Sequence, residues 1–225
     1  MGIFHNILTV SKYEARTLRR SWFFRLFTLG ALFIFSIMNM ALFSPIGEEP
    51  WNFVAFPASI PMVNLYILNL AQSVLVIFLA SDFMKRDKKL VTNEVLYTRP
   101  ISNFEYVTGK SWGILRLFIG FDIIILMIGL LMNLISGKME IDPVSYFQYL
   151  IIICVPTIVF SLGLAFMMMS LIKNQAVTFI LLLGFAAANV FWLWHRMGMI
   201  FDYMAFGLPL LKSSIIGFDD PGFIA

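Results

Sequence analysis

Five apolar stretches, each long enough to cross a lipid bilayer, dominate this chain. A helix needs about 20 mostly apolar residues to span the hydrocarbon core. The runs from roughly Leu26 to Phe43, Pro61 to Phe83, Trp112 to Ile135, Phe147 to Leu171 and Ala176 to Trp194 all meet that length. No water is available there to satisfy a backbone amide, so each run must hydrogen-bond within itself and is expected to be helical. The alternating pattern of a membrane β-barrel is absent. Composition agrees: 60% of the 225 residues are hydrophobic, 24 of them Phe, and only 13% are charged. A soluble domain of this size could not bury so much apolar surface. The expected fold class is all-α, a polytopic transmembrane helix bundle of five spans. A soluble globular enzyme, a disordered chain and a disulfide scaffold are excluded. Cys154 is the single cysteine, which rules out an internal disulfide or a cysteine-based zinc site.

Charge placement then sets orientation. Lys12, Arg16, Arg19, Arg20 and Arg25 precede the first span. Lys85, Arg86, Lys88, Lys89, Arg99 and Lys110 lie between spans two and three with Arg116 at the edge of the third, and Lys173 lies between spans four and five. Thirteen of the 16 basic residues therefore fall on one side. The other side holds Lys138, Arg196 and Lys212 with most of the acids, among them Glu48, Glu49, Glu140 and Asp142. The positive-inside rule places the N-terminus in the cytoplasm, as expected of a multi-pass protein of the cell (inner) membrane. The first span lacks the cleavage site of a signal peptide. A net charge of +3 gives no reason to expect a nucleic-acid partner.

Two cytoplasmic elements stand out. Residues 1–25 place Ile3, Phe4, Ile7, Leu8, Leu18 and Trp22 at loosely helical spacing around a basic cluster. Such a segment fits an amphipathic helix at the lipid surface, with its cations near anionic headgroups. Residues 84–110 form the second element. Arg99-Pro100 disfavours helix at Arg99, and Ser102 with Glu105 spells a capping box. A short surface helix between two spans is expected there, mixed in charge and suited to docking. The tail, residues 195–225, is too interrupted by Asp202, Gly207, Pro209 and Lys212 to span. It reads as an extracytoplasmic interfacial or re-entrant segment.

The linker Glu94-x-Leu96-x-x-Arg99-Pro100-Ile101-Ser102-x-x-Glu105-Tyr106-x-x-Gly109-Lys110, preceded by an amphipathic N-terminal helix, resembles the membrane subunit of type-2 ABC exporters, the ABC-2 permeases. The resemblance runs as far as span five. It implies that residues 1–25 are the connecting helix and 84–110 the coupling segment. Glu94, Arg99, Pro100, Ser102, Glu105 and Tyr106 would then dock on a separate ABC ATPase subunit. ATP would be bound by that partner, with no cofactor in this chain, and a second permease copy or half would complete a dimer. The sixth span of the pattern is missing, so the sequence is expected to be the N-terminal part of a longer bacterial chain. An alternative reading is the membrane anchor of a larger protein whose activity, for example a peptidase domain, lies beyond residue 225.

Gly109-Lys110-Ser111 mimics the end of a phosphate-binding loop, but position 104 is Phe where that motif needs Gly. No catalytic set appears, so the chain is not expected to be an enzyme. Within the spans, Asn69, Gln72 and Ser73 share one helical face that should point at protein. Asp122 is the acid well inside a span, where a carboxylate is costly and faces the bundle interior or water. It can line a substrate path together with Asn69 and Gln72, or tie helices together. A carrier without an ATPase would need paired charges at the bundle centre, and Asp122 has no basic candidate beside it. Asn39, Asn133 and Asn189 read as interhelical glue. Pro156 should kink span four, and Gly184 with Ala188 permits a close helix contact. Met167, Met168 and Met169 read as apolar surface, since a thioether metal site would need further ligands.

The charge asymmetry makes topology testable. A cysteine at Ser102 should resist an impermeant thiol reagent in intact cells, and one at Glu48 should react. External labelling at Ser102 would reverse the assignment.

Overall fold

The computed structural model describes residues 2–43, 57–89, 102–137, 140–172, 174–193, 196, 211–213 and 217–219. Helix α1 spans Ile3–Arg20 and α2 spans Trp22–Phe43. They part at Ser21, whose extended ψ of 132° interrupts the helix. The Ser21 amide donates to the Leu18 carbonyl, and the Ser21 carbonyl accepts from the Arg25 amide. The boundary thus falls at Ser21 instead of at Arg25, and the first membrane helix starts at Trp22.

Helix α3 spans Ser59–Lys89 and α4 spans Asn103–Ser136. Ser102 caps α4 with a complete capping box: its hydroxyl accepts from the Glu105 amide, and the Glu105 carboxylate accepts from the Ser102 amide. The expected short surface helix is not formed. Nothing after Ser102 breaks the hydrogen-bond ladder, so the capped turn runs on into the third span as one helix of 34 residues. Its length is about 51 Å, about 20 Å more than the hydrocarbon core requires. It ends at Gly137, whose φ of 61° is left-handed, a conformation that glycine adopts freely.

Span four begins earlier than its apolar run implies. Asp142 caps α5, Pro143–Tyr149, with Pro143 in the first turn. A π-helical turn, Leu150–Cys154, follows and leads into α6, Val155–Ile172. The Val155 amide reaches back five residues to the Leu150 carbonyl. Pro156 explains the wide turn: it donates no amide, and its ring would crowd the carbonyl four residues earlier in a regular helix. Helix α7, Gln175–Ala188, is capped by the Asn174 side chain and ends in a second π-helical turn, Asn189–Leu193. In the tail, β1 (Leu211–Ser213) pairs antiparallel with β2 (Gly217–Asp219), Lys212 opposite Phe218.

Five of these helical segments are long and apolar enough to cross a membrane, so the chain is a polytopic transmembrane helix bundle. Helix α3 is its axis: 61% of its span is buried, against 22% for α2 and 22% for the α7 span. It packs against α4, α5, α6 and α7. Phe78 on α3 meets Phe23 of α2, ring centroids 4.4 Å apart, and Phe179 of α7 at 5.6 Å. The start of α2, the end of the α3 span and the start of α7 therefore lie at one end of the bundle.

The most extensive helix pair is α1 with α4. Gly109 and Gly113, one turn apart, form a notch for α1. A Cβ on Gly113 would stand 2.8 Å from the Ser11 carbonyl oxygen, and one on Gly109 would stand 2.8 Å from Val10 Cβ. Gly184, by contrast, has open space where a Cβ would be, so no close helix contact is made at it among the described residues.

Gly113→Ala should destabilise the α1–α4 contact by about 1–3 kcal/mol, because a backbone carbonyl cannot move aside cheaply. Gly184→Ala should be neutral or slightly stabilising, through its better helix propensity. Thermal melts in detergent check both, and equal melting temperatures would contradict the notch.

Candidate functional site

Three polar assemblies occupy the bundle. The first joins α1 to the start of α4. Glu14 and Lys110 form an ion pair of 3.3 Å with side chains only 2% and 4% exposed. Lys110 Nζ also lies 5.0 Å from the centre of the Tyr106 ring, a cation–π distance. Asn6 Nδ2 donates to Glu105 Oε1 at 3.3 Å. Glu105 is 6% exposed, and its other oxygen accepts from the Ser102 amide and hydroxyl. Its carboxylate is thus engaged within the chain.

Other expected coupling residues divide. Glu94, Arg99 and Pro100 lie outside the described residues. Ser102 is exposed at the head of α4, and Tyr106 is half-buried against Lys110. Beside them Phe104 is 71% exposed, and Val107 one turn on is exposed as well. These two form an apolar strip on the side of α4 facing away from α1, which sequence reasoning passed over. Their spacing of three is the available signal, and the capping box draws attention away from it.

The second assembly lies within the membrane-spanning bundle. Asn69, Gln72 and Ser73 are all fully buried, as their shared face requires. Asn69 Nδ2 donates to Thr157 Oγ1 at 3.0 Å, joining α3 to α6, and Gln72 Nε2 donates to Asn69 Oδ1 at 3.3 Å. Thr157 in turn donates to the Ile153 carbonyl beside the π-helical turn. Asp122 enters from α4, fully buried, with Gln72 and Cys154 as its polar neighbours. Neither carboxyl oxygen of Asp122 has a partner at hydrogen-bonding geometry among the described residues, and neither does Gln72 Oε1. The fold therefore brings Asp122, Asn69 and Gln72 together, but Asp122 is not held in a well-formed interhelical hydrogen bond. Arg116 is exposed on another face of α4.

A third cluster joins three helices. Asn39 of α2 and Asn64 of α3 exchange hydrogen bonds of 2.8 and 3.1 Å. Gly129 of α4 makes room for them: a Cβ there would sit 3.0 Å from Asn64 Nδ2 and 3.2 Å from Asn39 Oδ1. Asn39 thus acts as interhelical glue. Asn64, Thr157 and Glu14 were not singled out in the sequence, and Lys110 stood out only as the end of the linker motif, because each partner lies on another helix. The Gly109-x-x-x-Gly113 spacing was a usable signal for close packing. Among the described residues no group of three or more His, Cys, Asp or Glu could hold a metal ion.

Comparison with protein-family models, curated proteins and solved structures returns no match. The fold and these clusters define a polytopic helical membrane protein.

Asp122→Asn should preserve or slightly raise stability, by up to about 1 kcal/mol, because an amide can donate to the unpartnered Gln72 Oε1. Melting in detergent reads this out. A fall of more than a few degrees would show that the carboxylate itself holds the helices.

Proposed function

We propose that this chain is the membrane-spanning permease subunit of an ABC exporter of the ABC-2 type. It would sit in the cell membrane with its N-terminus in the cytoplasm, paired with a second permease copy or half. A separate ATPase subunit would drive it. The observation that carries the reading is the linker Glu94–Lys110 together with an amphipathic N-terminal helix, the two elements by which the chain resembles those permeases. Their placement supports it: α1 packs alongside the start of α4, where the linker ends.

The geometry suggests how force would travel. Helix α4 continues unbroken from Ser102 into the membrane, so it can act as a lever. Motion of a docked ATPase at its protruding end would tilt the whole helix. The tilt would be felt where Asp122 faces Gln72 on α3 and where Gly129 meets the Asn39–Asn64 pair. Reseating these contacts as the helix tilts would switch access between the two sides. In this reading Asp122, Asn69 and Gln72 lie along the substrate path, and Phe104 and Val107 join Ser102 in docking the ATPase.

Affinity purification of the chain from its native membrane, followed by assay of ATP hydrolysis in the eluate, tests the proposal. A stoichiometric ATPase should co-purify. Phe104→Asp, at an exposed position, should reduce its recovery at least tenfold, equivalent to about 1.4 kcal/mol, without altering the chain's melting temperature. Absence of any ATPase, or unchanged recovery with Phe104→Asp, would count against the coupling role of this segment.

A further inference from the structure

A groove of about 500 Å³ lies between α1, the start of α2 and the middle of α4. It belongs to none of the polar assemblies described above. Its rim carries Lys12, Arg16 and Arg19 from α1 and Arg116 from α4, all exposed. Its floor is apolar, made by Phe24, Leu117, Phe121 and Ile124. Among the described residues no carboxylate lines it: Glu14 turns to Lys110 on the other side of α1, and Asp122 points into the bundle.

The level of the groove in the bilayer follows from helix lengths. Arg116 stands twenty positions before Ser136, the last residue of α4. That is about 30 Å of helix, the thickness of the hydrocarbon core. Helix α2 gives the same level independently. It has 22 residues starting at Trp22, about 33 Å, which puts Trp22 at the interface with Arg19 just above it and Phe24 just below. The cations therefore sit at headgroup height and the floor descends into the acyl region. A soluble anion has no use for such a floor, whereas a lipid matches both parts.

We propose that this groove is a binding site for one anionic phospholipid. The phosphodiester would be held by Arg16, Arg19, Arg116 and Lys12, and the first part of an acyl chain would lie over Phe24 and Phe121. Arginine is suited to the phosphate because its planar fork donates two parallel hydrogen bonds. Because the rim spans α1 and α4, a bound lipid would bridge the two helices from outside, opposite the Glu14–Lys110 pair. A volume of about 500 Å³ lies within the roughly 300–1,000 Å³ of small-molecule sites. The proposal does not depend on the export reading.

Native mass spectrometry of the full chain in mild detergent, titrated with phosphatidylglycerol and separately with phosphatidylcholine, tests it. One phosphatidylglycerol should bind at least tenfold more tightly than phosphatidylcholine. Arg16→Gln with Arg116→Gln should weaken it at least tenfold. The charge-matched pair Arg20→Gln with Arg196→Gln, outside the groove, should not. Gly120→Leu keeps every cation but fills the floor. A Cβ on Gly120 meets nothing within 4 Å, so the variant should fold normally and still lose the lipid tenfold. Equal binding of the two lipids, or equal loss in both charge-matched pairs, would reduce the effect to unspecific attraction and overturn the proposal. Retention by Gly120→Leu, with displacement of the lipid by inorganic phosphate, would overturn it in favour of a free-anion site.

Discussion

The buried ion pair between Glu14 and Lys110 is the contact on which the basic end of this molecule depends. Two charges 3.3 Å apart and almost wholly hidden from solvent bring little net stability, because desolvation offsets most of their attraction. Their effect is on register. Removing either partner leaves a buried charge uncompensated, which costs about 3–5 kcal/mol, so any sliding of α1 along α4 is strongly disfavoured. The Gly109–Gly113 notch allows the close approach that the pair requires, and the Asn6–Glu105 hydrogen bond repeats the constraint two turns further out. With α1 so fixed, its basic residues stand beside Arg116, and the head of α4 is braced where it leaves the membrane.

Inside the bilayer the organising constraint is different. Lipid does not push apolar helices together as water does, so close packing and interhelical hydrogen bonds hold the bundle. Helix α3 supplies them in both directions: Asn64 to α2 and Asn69 to α6. Glycine at position 129 lets α4 meet the first of these pairs. Asp122 departs from the pattern. It lies between Gln72 and Cys154 without a well-formed hydrogen bond, at a depth where an acid is normally tied to a function. Its position beside the disturbed backbone of the π-helical turn strengthens that association, since such turns frequently occur at functional sites.

These two constraints meet in α4. Its first turns belong to the α1 interface, and its middle faces α3 and the π-helical turn before α6. A single unbroken helix therefore connects the protruding end to Asp122. The proposed export mechanism rests on this continuity, which a separate surface helix would not provide.

The number of spans, their approximate ends, the grouping of basic charge and the cap at Ser102 were all legible in the sequence. Each is written in a local run of residues: apolar length, charge beside a span, or a Ser and a Glu three apart. Asn69, Gln72 and Ser73 were legible as a buried face for the same reason, by spacing on one helix. Which helix Asn39 or Asn69 would meet was not legible, and neither was the pairing of Glu14 with Lys110 across 96 positions. The fate of Glu105 also lay outside local reach, because its burial depends on Asn6 of another helix. The continuity of α4 was misjudged, since a capping box marks where a helix begins and carries no information about where it ends. The sequence by itself determined a bundle of five membrane helices, because transfer free energy and backbone hydrogen bonding act on each segment alone. Only the tertiary structure decided which polar side chains share a site, because that depends on the rotation and register of whole helices against one another.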